Sequence, residues 1–173
     1  MKKALLVIMV VLVCGAFLTS CGAPKYVHKD PAFSFEYPHG YKPGKVQGTA
    51  VARFENQNQY RIPNYSLGAD DKAQGATLDN FAEGYSEVLQ GLYPKASRFK
   101  ILEKNMVKLS DGSDAVAWKL KWRWIDRVTY LQSSGVAAFK GNKSISCFGT
   151  TIFGGDTSMD MMLDQCKTLK LTP

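Results

Sequence analysis

The stretch "AVAWKLKWRW", Ala115 to Trp124, holds all three tryptophans of the chain within seven residues and threads them with Lys119, Lys121 and Arg123. On a β-strand, residues of one parity share a face. The even positions Val116, Trp118, Leu120, Trp122 and Trp124 then make an apolar face, and Ala115, Ala117, Lys119, Lys121 and Arg123 make the other. This parity predicts a sheet strand whose tryptophans are core beneath a helix. It leaves Lys119, Lys121 and Arg123 as an outward cationic stripe, a possible partner face. Nucleic acid is not the partner expected, because stacked bases need rings and positive charge on the same surface.

The neighbouring segments fit a strand of this kind. Phe99 to Leu109 runs into the turn "SDGSD", Val128 to Phe139 follows a turn at Asp126-Arg127, and Ser144 to Phe153 follows one at Gly141-Asn142. Strands joined by short polar turns read as an antiparallel meander. Upstream, "AFSFEYPHGY" alternates Phe33, Phe35 and Tyr37 against Ser34 and Glu36, and further strands are expected over Val51 to Phe54 and Tyr65 to Ala69. Pro63 lacks the amide proton of a central ladder, so this last strand lies at an edge or begins after it. From Thr77, Leu78, Phe81, Ala82, Tyr85, Val88, Leu89 and Leu92 form one helical stripe closed by Pro94. A last helix is expected from Thr157 or Ser158, with Asp156 and Asp160 favourable at its N-terminus and Met159, Met162, Leu163 and Cys166 inward. A short strand at Leu169 to Leu171 would end the chain. The order predicts an α+β domain, one central antiparallel sheet with helices packed on it.

The segment Phe33-Ser34-Phe35-Glu36-Tyr37-Pro38, with Tyr41 after it, resembles the opening strand of the PsbP-like domains. These include an extrinsic photosystem protein and small bacterial DcrB-like lipoproteins. The amphipathic "TLDNFAEGYSEVL", the later strands and the closing helix follow the family order over nearly all of the chain after its leader. Ala32 stands where a glycine is common and Tyr41 where a tryptophan is common. The resemblance implies an antiparallel sheet sandwiched by helices. It implies little about function, since members are binding or assembly proteins with different partners.

The N-terminus "MKKALLVIMVVLVCGAFLTSC" has the anatomy of an export signal, with Lys2 and Lys3 before an apolar run of 14 residues from Ala4 to Phe17. Leu18-Thr19-Ser20-Cys21 resembles the lipobox, which places a cut before Cys21 and acyl chains on its sulfur. The 15 residues from Ala4 to Leu18 fall short of the roughly 20 that cross a bilayer as a helix. The expected organisation is a signal peptide over 1–20, a lipidated tether over 21–30, in which Tyr26 and Val27 could begin an edge strand, and a single domain over 31–173. Two or more acyl chains give stable anchoring. The expected place is the bacterial cell envelope. Gly22, rather than Asp, after the cysteine points to the outer membrane, facing the periplasm, in a Gram-negative organism.

With Cys14 in the signal and Cys21 acylated, Cys147 and Cys166 remain, and in an oxidising compartment a lone pair reads as a disulfide. The alternative is two separate buried thiols. Removing Lys2 and Lys3 lowers the net charge of +7 to +5, a moderately basic surface that suits anionic headgroups or an acidic partner.

Enzyme signatures are absent: the chain has no G-x-S-x-G, H-E-x-x-H or G-x-G-x-x-G. "GYKPGK", Gly40 to Lys45, has three residues between its glycines where a phosphate loop has four, and Val46 where Ser or Thr would hold magnesium, so it reads as a turn. His28 and His39 are the only histidines and read as exposed loop residues rather than metal ligands. Asp70 and Asp71 read as a polar turn. No cofactor is expected. The functional expectation is a non-catalytic binding or assembly module, tethered through Cys21 and partnered by another envelope protein. The alternative is a carrier of a lipid or other hydrophobic ligand between sheet and helices.

Overall fold

The computed structural model describes residues 22–46, 48–57, 62–155 and 157–172. Ten strands and two helices are described: β1 Lys25–Lys29, β2 Ala32–Glu36, β3 Tyr41–Pro43, β4 Ala50–Asn56, β5 Asn64–Asp71, α1 Phe81–Leu92, β6 Ser97–Lys108, β7 Asp114–Arg123, β8 Tyr130–Lys140, β9 Lys143–Ile152, α2 Met159–Cys166 and β10 Lys170–Leu171. Seven strands form one sheet in the order β3-β4-β5-β9-β8-β7-β6, antiparallel at every pairing. The other three form a small sheet, β1-β2-β10. The fold is α+β and dominated by its sheets. Where one central sheet was expected, two occur.

The alternation within β7 sets the layers. Trp118 and Trp122 are buried against Phe81 and Tyr85 of α1 and Phe99 of β6, with Phe99 and Trp122 stacked at 6.0 Å. The opposite face buries Ala115 and Ala117 in a second cluster with Phe33 and Phe35 of β2, Phe54, Tyr65 and the inner side of α2. The large sheet therefore has α1 on one side, and α2 with the small sheet on the other. Register shifts between Ser97 and Lys100 and between Ile101 and Glu103 bend the edge strand β6. Each extra residue switches which side chains face α1.

Helix α1 begins at Phe81, not Thr77. Thr77 N–H donates to Asn80 Oδ1 at 2.8 Å and Asn80 N–H to Thr77 Oγ1 at 3.2 Å, a closed polar turn that competes with helix for those four residues. Leu78, Phe81, Ala82, Tyr85 and Leu89 do pack inward, but Val88 and Leu92 are exposed. At 100° per residue Val88 lies roughly 80° from the stripe's centre. Leu92 ends a helix that packs chiefly on β6, the sheet's edge, and β7.

Ser158 Oγ accepts from Met161 N–H at 3.1 Å and caps α2. Met162, Leu163 and Cys166 face inward as expected, and Cys166 is joined to Cys147 of β9 by a disulfide. Gly149 makes room beneath α2, since a β-carbon there would lie 2.8 Å from Met162 Sδ, and Gly135 lets β8 and β9 approach, since one there would lie 2.4 Å from the carbonyl oxygen of Cys147 and 2.8 Å from Phe148 Cβ. Gly135→Ala therefore has to push a pair of central strands apart, and a loss of about 1–3 kcal/mol is expected. Urea denaturation checks it.

Residues 25–29 are not tether. Tyr26 packs on Phe33 and Phe54, and alternation within "KYVHK" makes a strand bonded to β2 along its whole length. The domain thus begins by Lys25, ahead of the boundary at Pro31. Pro63 precedes the first residue of β5, which sits between β4 and β9, so the second of its two expected placements holds. "GYKPGK" contributes strand β3, and Asp70 and Asp71 end β5, corrections with one cause: pairing to a neighbour extends strands into segments whose composition suits turns.

A candidate binding face at one end of the sheet

Lys119, Lys121 and Arg123 share the face of β7 that α2 and its approach partly cover, so they are not one outward stripe. Lys119 is 16% exposed and bonds Glu103 at 2.6 Å and Asp160 at 2.7 Å, pinning the start of α2 to β6 and β7. Its hydrogen bond holds the Asp160 carboxyl below its ordinary range, with the Lys119 charge acting in the same direction. The resulting stability is present above the unfolded carboxylate value, near about 4, and is lost as pH falls through the lower folded value. Protection of the 158–162 amides, measured against their intrinsic exchange rates at each pH, is expected to fall on acidification below about pH 4, and Asp160→Asn to remove that dependence.

Lys121 and Arg123 belong to a different group. Lys121 Nζ lies 3.3 Å from the ring centre of Phe153 and 4.7 Å from that of Tyr130. The Arg123 guanidinium lies 5.5 Å from the Tyr130 ring, and Arg98 Nη1 donates to Tyr130 Oη at 3.2 Å. Hydrogen bonding from Arg123 and then Arg98 holds the Tyr130 phenol below its ordinary value. Lys100 is the register partner of Lys121. Arg127 occupies the turn between β7 and β8, where Asp126 accepts from the Val128 and Thr129 amides and the Thr129 hydroxyl. Arg98 and Arg127 have φ of 57° and 63°, a region unfavourable for side chains of their size.

Among the described residues no ion pair engages Arg98, Lys100, Lys121, Arg123 or Arg127. Val128 and Ile125 of the same turn, and Phe153 beside Lys121, are exposed, Val128 by 78%. The end of the sheet formed by β6, β7, β8 and β9 thus presents five cations among apolar and aromatic side chains, with Asp126 the carboxylate in their midst. Guanidinium groups of this kind grip carboxylate or phosphate oxygens through paired N–H donors. Of this group, strand parity in the sequence singles out only Lys121 and Arg123. Arg98 and Lys100 arrive from β6, Tyr130 from β8 and Phe153 from the turn after β9, and no local pattern joins them. Lys121→Glu is expected to leave the fold intact, with Tm within about 2 °C, because it removes ring contacts but no buried pair.

The other expected site residues lie apart. Cys147 and Cys166 are bridged, and Cys21 lies outside the described residues. His28 is on β1 rather than in a loop; its Nδ1 shares a hydrogen bond with Tyr26 Oη and its Nε2 with the Asp30 carbonyl, both at 3.0 Å. His39 is in the turn after β2, away from His28, which pairs with Phe33. Between α2 and β6 a groove of about 200 Å³ is lined by Asn105, Val107, Ala117 and Leu163, with Glu103, Lys119 and Lys167 among its charged walls. Small-molecule sites usually measure ~300–1,000 Å³.

No family model matches the chain, and no curated protein matches it. Among solved structures, a protein from Bacteroides thetaiotaomicron aligns with a TM-score of 0.56 and 17% identity over 88% of this chain. This chain spans 49% of that protein's length. A Pseudomonas aeruginosa protein of unknown function aligns with a TM-score of 0.38 and 15% identity, over 75% of this chain and 83% of its own. The first likeness is one of fold alone, and the second is too slight to inform it.

Proposed function

We propose that this chain is a lipid-tethered protein of the bacterial cell envelope, with a PsbP-like sandwich, acting as a non-catalytic binding or assembly module for another envelope component. The observation that carries the reading is the basic and aromatic end of the large sheet, whose cations have no carboxylate partners among the described residues. The Cys147–Cys166 disulfide supports an oxidising compartment, and the leader ending in Leu18-Thr19-Ser20-Cys21 supports acylation there. The groove under α2 is small and charged at its walls, which favours the module over the carrier.

The test is the intact mass of the protein purified from membranes, together with crosslinking in cells. A mature chain starting at acylated Cys21, and a crosslinked component that is lost on charge reversal at Lys121, are expected. A chain retaining residues 1–20 with an unmodified Cys21 would overturn the tether, and crosslinks indifferent to Lys121 would overturn the binding face.

A further inference from the structure

We infer that the component met by this basic end is the anionic phospholipid surface of the membrane that holds the chain. The inference rests on the tether proposed above and names the partner of the same face. Three observations converge on it. The first is direction. Strand β2 starts at Ala32, whose carbonyl accepts from Lys140 Nζ beside the β8–β9 hairpin. It runs toward Tyr37, which stacks on Phe54 at 4.2 Å. Phe54 leads across the sheet through Tyr65 and Gly149 to Ser134, at the middle of β8, so β2 runs from the Lys140 end toward the Tyr130 end. The carbonyl of Pro24 accepts from Tyr37 N–H, so the start of the domain leaves toward the end that carries Tyr130, Arg123 and Phe153.

The second observation is reach. Lys25 already belongs to β1, so an extended chain from Cys21 to Lys25 spans at most about 14 Å. An anchor this short holds the near end of the domain close to the headgroups, where charge attraction decays over ~8–10 Å. The third is composition. Cations beside exposed aromatic and aliphatic side chains suit the boundary between headgroups and acyl chains, where rings lodge and basic groups meet phosphate. An acidic protein would use the cations, but it gives no reason for Val128, Ile125 and Phe153 to stand exposed among them.

The test uses the full chain reconstituted into vesicles of phosphatidylcholine, with and without phosphatidylglycerol. A polarity-sensitive nitrobenzoxadiazole label is placed at Val128→Cys or, at the opposite hairpin, at Asn142→Cys. The Val128 label is expected to brighten and shift to shorter wavelength only with phosphatidylglycerol, and added salt should reverse the shift. The Asn142 label should stay unchanged. In a Lys100→Glu, Lys121→Glu background the phosphatidylglycerol needed for half the shift should rise about tenfold or more; an unchanged Asn142 spectrum and circular dichroism show that this variant is folded. A Val128 label indifferent to phosphatidylglycerol, or matched by the Asn142 label, overturns the inference and leaves this end to an acidic protein. The mass of Cys21 in the same preparation reports the tether separately, so the two readings fail by different signs.

Discussion

Trp118→Ala is expected to cost about 3–5 kcal/mol and leave the domain largely unfolded at growth temperature. Trp118 is 1% exposed and holds Phe81 and Tyr85 of α1 at ring distances of 5.5 and 5.2 Å. Removing the indole empties the centre of the layer between helix and sheet and leaves α1 with flanking ring contacts, Phe81 on Phe139 and Tyr85 on Phe148. Trp122→Ala should act similarly through Phe99. The phenylalanine variants are informative controls. The Nε1 donors of both tryptophans are buried without an acceptor among the described residues, so a ring lacking that donor should recover most of the loss. Chemical denaturation of Trp118→Ala and Trp118→Phe checks the argument. A folded Trp118→Ala protein of near-native midpoint would refute the assignment of this face to core.

Cutting the Cys147–Cys166 bridge is expected to cost roughly 3 kcal/mol. The closed loop spans a sequence separation of 19, and a loop of that size carries about this much chain entropy in the unfolded state. For a domain of this length the midpoint should fall by about 6–12 °C. The loss should begin at α2, because the bridge, the Ser134 Oγ bond to the Met159 carbonyl and the packing of Met162 on Gly149 fasten that helix to β8 and β9. Thermal melts of Cys147→Ala with Cys166→Ala test the size of the loss, and exchange of the α2 amides tests where it begins. An unchanged midpoint would mean that sheet packing alone fixes the helix.

What could be read from the sequence was whatever depends on local period. Alternation in Ala115 to Arg123 located both faces of β7, the spacing of Met162, Leu163 and Cys166 oriented α2, and Cys147 and Cys166 found each other by elimination. The misses share a physical origin in contacts between distant segments. Tyr26 and Val27 could be read as tether or as edge strand because β1 exists only through its bonds to β2. Lys119 looked exposed because Asp160, its partner on α2, is far away in sequence. Parity assigns a side chain to a face, but does not say how far the covering element reaches along it. The binding face was half legible for the same reason, as the turn at Asp126-Arg127 was visible while the arrival of Arg98, Tyr130 and Phe153 beside it was not.

The small sheet bears on the order in which the molecule can be completed. Strand β10, at Lys170 and Leu171, bonds to Ser34 and Phe33 of β2, and Lys140 Nζ donates to carbonyls of both Ala32 and Thr172. Strand β2 therefore waits for β10, and the layer over Phe33 and Phe35 stays open until the segment through Leu171 has been made. Closing contacts between such distant segments is slow. If, as proposed above, the polypeptide is threaded through a membrane before it folds, the domain can close only after the segment through Leu171 has crossed.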